Sequence, residues 1–200
     1  MKERPILFSA PMVRAILDGR KTQTRRAYKN RKHPDFGCDI AASELVREAQ
    51  HVIDRACPYG QPGDRLWVRE TWSSDDGKTA WYRADGETYN AGLPWRPSIF
   101  MPRWASRITL EITGVRVERL NEISTEDAIA EGTPVTWGDW RGQAPEWALR
   151  SIGPEYGSPG SHLWDNRTTV KNYGLLWESI NGAGSWAANP WVWCIEFKRL

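Results

Sequence analysis

The chain has 200 residues, of which 27 are basic and 25 acidic, so its formal net charge is +2. This length suits one domain with one sizeable core, and the near balance of charge excludes the strongly basic composition of a protein covered by nucleic acid. We therefore expect a single domain over residues 1–200 in which any basic surface is local. The sequence has no apolar stretch long enough to span a bilayer and no visible signal peptide, which predicts a cytoplasmic protein without a membrane partner.

Cysteine, histidine and tryptophan usage narrows the chemistry further. The cysteines Cys38, Cys57 and Cys194 lack C-x-x-C spacing, and the three histidines do not cluster with them, so we expect no metal site. The chain also contains 13 tryptophans. An indole ring buries a large area in a core and can equally stack on a nucleic-acid base, so both roles are open for these residues.

The first part of the chain predicts a strand, a helix and a basic segment. Residues 5–9 form the expected strand, and Pro11 lies at the start of a helix whose apolar residues recur with helical spacing up to Leu17. Asp18 and Gly19 interrupt this pattern before the basic residues 20–26. A second helix is predicted over residues 40–55.

The rest of the chain predicts several strands and two short helices. Residues 65–72 and 79–83 are expected strands, and residues 106–120 form a long strand that bends at Gly114. Ser124 begins a helix that Gly132 ends. A short helix over residues 173–180 and a closing strand over residues 191–197 follow. Residues 27–60 and 133–170 are expected to be two long insertions.

Strands interspersed with a few short helices favour an α+β fold with a mixed, partly closed barrel over a doubly wound sheet. No Rossmann or P-loop glycine pattern competes with this prediction.

Lys21 and Thr24 are candidates for chemistry in the basic segment. They are three residues apart, so on a continuing helical turn their side chains share a face. A threonine hydroxyl attacks an amide only when a base takes its proton, and a lysine is such a base only when its pKa is lowered. Arg20, Arg25 and Arg26 lower that pKa, whereas a helix C-terminus raises it. The alternative, which spacing alone favours, is a solvated basic helix end.

Glu70 is the candidate carboxylate, because it follows an apolar strand and lies beside Arg69 and Trp72. Close to Lys21 it would hold the lysine protonated, and an ordinary surface salt bridge is the alternative. Tryptophan and arginine also alternate nearby, as in base-stacking surfaces with phosphate anchors, although core packing accounts for at least half of the rings. These residues are Trp67, Trp72, Trp95, Trp104, Arg65, Arg69, Arg96 and Arg103.

Two motifs resemble a known family. Residues 6–9 with Pro11 and residues 19–26 (GRKTQTRR) form the first, and residues 63–70 (GDRLWVRE) form the second. Both are similar to the ASCH domain family, in particular to its longer phage and prophage members. The resemblance extends more loosely to residues 108–110, the helix from Ser124 and the last strand. It implies a PUA-like mixed β-barrel with flanking short helices, a fold shared with RNA-binding modules.

The small bacterial members of that family remove the acyl group from N4-acetylcytidine, a modified nucleoside. Their catalytic lysine, threonine and glutamate fall by motif on Lys21, Thr24 and Glu70. The resemblance thus implies a cofactor-independent amidohydrolase for N4-acylated cytosine nucleosides, with Thr24 as nucleophile, Lys21 as proton acceptor and Glu70 as orienting group. The substrate contacts expected beside this set are Ser9, Arg25, Arg26, Arg69 and Trp72.

Two other functions stay open. One is an RNA-binding module in which the basic segment holds phosphates and tryptophans stack on bases. The other is a ribonuclease, an activity attributed to some relatives of the family. RNA is therefore a second candidate partner beside the small nucleoside.

Overall fold

The computed structural model of the chain describes residues 1–86, 92–133 and 166–200. The strands in these residues are β1 (Glu3–Leu7), β2 (Gln23–Ala27), β3 (Arg31–Lys32), β4 (Asp39–Ile40), β5 (Arg65–Arg69), β6 (Trp72–Ser73), β7 (Trp81–Tyr82), β8 (Thr109–Arg119) and β9 (Trp191–Arg199). The α-helices are α1 (Ala10–Leu17), α2 (Ala42–Leu45), α3 (Gln50–Ala56), α4 (Thr125–Ala130) and α5 (Asn166–Asn181). None of the helices in the described ranges combines the length and apolar character needed to cross a membrane.

A five-stranded mixed sheet organises these elements, with strand order β1-β5-β8-β9-β2. Strands β1 and β5 are parallel, and the other neighbouring pairs are antiparallel. The α+β class is thus confirmed. Within the described ranges the sheet is open, because its edge strands β1 and β2 do not pair with each other.

The two sheet edges are nevertheless linked by a side chain. Arg26 of β2 donates a hydrogen bond from Nη2 to the carbonyl oxygen of Leu7, the last residue of β1, at 2.8 Å. The end of β1 and the end of the basic segment therefore lie together. The predicted bend in the long strand is also confirmed, since the register of β8 against β9 shifts between Ile112 and Gly114.

Two apolar clusters lie on opposite faces of the sheet, because successive side chains of a strand alternate between its faces. Trp193, Ile195 and Phe197 of β9 belong to the larger cluster, as the predicted alternation requires. Val192 belongs to the smaller one, together with Tyr173 and other side chains of α4 and α5. Strand β9 is thus buried on both faces.

The single helix predicted over residues 40–55 is wrong. The chain forms two short helices, α2 and α3, and residues 46–49 between them are exposed, so no apolar stripe continues there. The prediction that residues 27–60 are only an insertion over the core is also wrong, because Leu45, Val52 and Ile53 are part of the larger cluster. The strand predicted over 79–83 is reduced to β7. Most of the predicted insertion 133–170 lies outside the described residues.

Candidate active site

The helical arrangement expected for Lys21 and Thr24 is wrong. Helix α1 ends at Leu17, Gly19 takes a positive φ of 75°, and the chain then enters the sheet at Gln23. Lys21 itself forms an isolated antiparallel bridge with Glu131. The basic segment is therefore sheet-like backbone, in which residues three apart do not stack on one face as they do in a helix.

The Lys21 ammonium is buried against Glu131. Its Nζ donates to Oε2 of Glu131 at 2.8 Å and to the backbone oxygen of the same residue at 2.8 Å. Burial lowers the pKa of Lys21 from its ordinary value, and it outweighs the opposing effect of the Glu131 carboxylate. The positive charges of Arg26 and Arg25 lower this pKa further. Lys21 thus loses its proton more readily than an exposed lysine.

Glu131 is held from its other side by Arg25. The Nη1 of Arg25 lies 3.1 Å from Oε1 of Glu131, and its remaining N–H groups contact Glu118 and Asp127 at 2.8 Å. A guanidinium presents its N–H groups in a rigid planar fork, so this contact fixes the orientation of the Glu131 carboxylate. Arg25, which was expected to contact substrate, is instead buried and bound to three carboxylates.

The end of α4 brings Glu131 to Lys21. The amide of Thr22 donates to the carbonyl oxygen of Ala130 at 2.8 Å. Gly132 then takes a φ of +79°, and a Cβ built on it would lie 2.9 Å from the Cβ of Ala15 and 3.0 Å from that of Lys21. Glycine is therefore required here by both its backbone conformation and its neighbours.

Thr24 lies in β2 opposite Ile195 of β9. Its side chain is 0% exposed, and its hydroxyl oxygen has no hydrogen-bond partner. The cations on either side of it in sequence approach one ring: Nζ of Lys21 is 5.5 Å and Cζ of Arg26 is 5.2 Å from the centroid of Phe8. Leaving a buried hydroxyl unpaired costs about 1–3 kcal/mol, so this hydroxyl does not itself stabilise the fold.

Glu70 occupies a different environment. It follows β5 directly, and both its carboxylate oxygens are bound by Arg107, Oε1 to Nε at 3.0 Å and Oε2 to Nη2 at 3.1 Å. The same guanidinium binds Asp85 at 2.7 Å and lies 3.9 Å from the Tyr82 ring centroid. Burial raises the pKa of Glu70, against the opposing charge of Arg107. The carboxylate that contacts Lys21 is thus Glu131, and Glu70 is the partner of Arg107.

The other expected substrate contacts are dispersed. Ser9 is exposed before α1 and makes no side-chain capping bond. Arg69 donates to the carbonyl oxygens of Met101 and Ile99. Trp72 is buried, and its indole N–H has no partner. Of the expected contacts, Arg26 approaches the ring of Phe8, which Lys21 also approaches, and Ser9 directly follows Phe8 in sequence.

Sequence reasoning missed Glu131 and Arg107. Glu131 stands directly before Gly132, which the sequence indicated only as the end of a helix. No residue spacing connects Glu131 with Lys21, which lies 110 residues earlier. Arg107 lies 37 residues after Glu70. Neither pairing leaves a local signal, because each depends on how separate elements pack.

Within residues 1–86, 92–133 and 166–200, no group of three or more histidine, cysteine, aspartate or glutamate side chains is arranged to hold a metal ion. No protein-family model, curated protein or solved structure matches the chain. The geometry around Lys21 is therefore the basis on which a function is proposed.

Proposed function

We propose that the chain is an ASCH-type, PUA-like amidohydrolase that removes the acyl group from an N4-acylated cytosine nucleoside. The observation that carries this proposal is the buried Lys21–Glu131 pair, with the buried and unpartnered hydroxyl of Thr24 three residues further on. Buried titratable groups with perturbed pKa values cluster at catalytic sites. The link between Arg26 and Leu7 across the open edges of the sheet supports the partly closed, PUA-like form of the barrel.

The proposed reaction is acyl transfer through Thr24. When substrate binding brings the two side chains into contact, the Oγ1 of Thr24 attacks the acyl carbonyl carbon while its proton passes to the neutral amine of Lys21. The bond from the acyl carbon to the exocyclic nitrogen then breaks, and Lys21 returns the proton to that nitrogen, which releases cytidine. Water hydrolyses the acyl-threonine ester by the same base, giving the free carboxylic acid and restoring both side chains.

Glu131 has a positioning and electrostatic role in this scheme. The lowered pKa of Lys21 makes its neutral amine more accessible than that of an exposed lysine. Once Lys21 has accepted the threonine proton, the carboxylate 2.8 Å away stabilises the ammonium that forms. Arg25 orients the Glu131 carboxylate for this purpose. Glu70, bound to Arg107, shapes a neighbouring part of the fold.

Access to the site passes between the edges of the sheet in this proposal. Thr24 and Lys21 are both buried, so substrate reaches them only when neighbouring side chains move. The hydrogen bond from Arg26 to Leu7 spans this opening, and exposed Ser9 lies on the connection that follows β1. Opening this contact is therefore part of substrate entry.

The binding-module alternative loses support at the basic segment. That alternative assigned the contacts with phosphate groups to Arg20, Lys21, Arg25 and Arg26. Lys21 and Arg25 are buried against carboxylates, and Arg20 is paired with Asp18. A phosphate backbone would have to displace these ion pairs. Nothing in the described residues favours the ribonuclease alternative over amide hydrolysis.

The test is hydrolysis of N4-acetylcytidine in the presence of a chelator, followed by the absorbance change on deacylation. We expect turnover by the wild type and its loss in Lys21→Ala, Thr24→Ala and Glu131→Ala. Thr22→Ala is the matched control, because Thr22 is an exposed threonine two residues from Thr24. A folded wild type that hydrolyses no N4-acylcytidine would contradict the proposal.

A further inference from the structure

Indole rings and guanidinium groups alternate on the side of β5 that faces away from the larger cluster. Leu66 and Val68 are buried in that cluster, so Trp67 and Arg69 lie on the opposite side of the strand. Residues 98–105 pack beside them. We call this region the Trp–Arg surface and define it by Trp67, Arg69, Arg96, Phe100, Arg103 and Trp104.

The rings and cations of this surface are in direct contact. The guanidinium carbons of Arg69 and Arg103 lie 5.4 and 5.8 Å from the ring centroid of Trp67. That of Arg96 lies 5.1 Å from the ring of Trp72, on which Trp104 packs edge-on at 5.7 Å. Such cation–π contacts hold flat groups in fixed orientations.

Part of the surface is apolar and exposed. Phe100 is 66% exposed and Trp104 is 48% exposed, and Ile99, which precedes Phe100 in sequence, is exposed as well. Large apolar side chains that are exposed together mark a binding site more often than single exposed ones do. Two of the three carry aromatic rings, which offer faces for stacking.

The charge of the surface is positive. Arg69 and Arg96 donate to backbone carbonyl oxygens, which are neutral, and Arg103 has one carboxylate partner, Glu3. Further along the same face of the sheet, by contrast, Arg25 on β2 and Arg116 on β8 are each bound by several carboxylates. Among the described contacts, the three guanidinium groups of Arg69, Arg96 and Arg103 thus face the single carboxylate of Glu3.

We propose that the Trp–Arg surface binds single-stranded nucleic acid. Its bases stack on Phe100 and Trp104, and its phosphates contact Arg69, Arg96 and Arg103. Single strands suit this surface because their base faces are free, whereas those of a duplex are stacked on each other. This proposal does not depend on amide hydrolysis, because none of the six residues belongs to the Lys21 site.

The stacking part is tested by fluorescence anisotropy with a labelled single-stranded RNA of about twelve nucleotides, within the usual range of such sites. Stacking contributes about 1–3 kcal/mol per base, so Phe100→Ala should weaken binding roughly fivefold or more. Phe36→Ala is the control, since Phe36 is also a highly exposed phenylalanine but lies between β3 and β4. Equal weakening by both variants, or no binding of the RNA by the wild type, would overturn the proposal.

The electrostatic part uses a matched pair of arginines. Arg103 and Arg55 are 47% and 46% exposed and each has one carboxylate partner, but only Arg103 belongs to the surface. Arg103→Gln should lower the dependence of log affinity on log salt by about 0.7, the value for one phosphate contact on a single strand, and Arg55→Gln should leave it unchanged. Single-stranded DNA that binds like the RNA supports the same chemistry. A duplex that binds as tightly as the single strand would overturn it.

Discussion

The Nζ of Lys21 lies 2.8 Å from a carboxylate oxygen of Glu131, although 110 residues separate the two in sequence. The same nitrogen donates to the backbone oxygen of Glu131. A neutral amine has two N–H groups and one lone pair, so these two bonds leave the lone pair free to accept a proton. Burial, one carboxylate partner and one available lone pair together make Lys21 the centre of the candidate site.

Thr24→Val separates stability from activity at the proposed nucleophile. Valine has nearly the shape of threonine, and the hydroxyl that it lacks is buried without a partner. Removing that hydroxyl should therefore leave the free energy of unfolding unchanged or raise it by about 1 kcal/mol, while turnover of N4-acetylcytidine disappears. Urea unfolding and the hydrolysis assay measure the two effects. A Thr24→Val protein with wild-type turnover would remove Thr24 from the mechanism.

Glu131→Gln should shift the pH dependence of hydrolysis. The Glu131 carboxylate raises the pKa of Lys21 against the larger effect of burial, so without its charge that pKa falls further. The acidic limb of the kcat/KM profile, where Lys21 loses its proton, then moves to lower pH. The maximal rate falls by about 100-fold, because the ammonium formed during reaction is less stabilised.

Glu126→Gln is the control for this change, since Glu126 is an exposed carboxylate on the same helix. The pKa of Lys21, followed by nitrogen NMR of labelled lysine, gives a second measurement that does not need turnover. An acidic limb and an NMR titration that both stay at the wild-type pH in Glu131→Gln would show that Glu131 does not act on Lys21.

Gly132→Ala should destabilise the fold at the site. Its φ is +79°, and the new methyl group would lie 2.9 Å from the Cβ of Ala15 and 3.0 Å from that of Lys21. Gly184 has the same φ of +79° but nothing within 4 Å of the added atom. Both substitutions suffer the backbone strain, of order 1 kcal/mol, so the additional loss in Gly132→Ala measures the steric contact. Urea unfolding of the two variants should differ by about 1–3 kcal/mol.

Glu70→Gln should change the pH dependence of stability more than it changes catalysis. Burial raises the pKa of Glu70 above its ordinary value of 4.5, so above that pH the folded protein holds its proton longer than the unfolded chain does. The free energy of unfolding of the wild type therefore falls as pH rises from 4.5 through the folded pKa. The glutamine variant lacks this loss, so its stability relative to the wild type should rise with pH.

Urea unfolding between pH 4.5 and 8 follows this difference, and the hydrolysis assay compares Glu70→Gln with Glu131→Gln. We expect the smaller loss of turnover in Glu70→Gln, because Glu70 contacts Arg107 and not Lys21. The reverse order would restore Glu70 as the catalytic carboxylate.

The sequence predicted most elements of the main sheet because their signals are local. The alternation of Trp193, Ile195 and Phe197 identified β9, and Ser124 was correctly assigned as the cap of α4, where its side chain accepts from Asp127. The helix predicted over residues 40–55 failed because two short apolar stretches were joined across exposed residues. Local periodicity does not show that two such stretches belong to separate helices.

The sequence by itself determined most strands of the main sheet and the cap of α4, and it selected Lys21 and Thr24 as candidate catalytic residues. The tertiary structure alone decided their partners. Two carboxylates were available for Lys21, and the packing of α4 against the start of β2 brought Glu131 to it, while Arg107 took Glu70. Residue spacing fixes which side chains share a face of one element, but ion pairs between distant elements depend on how those elements pack together.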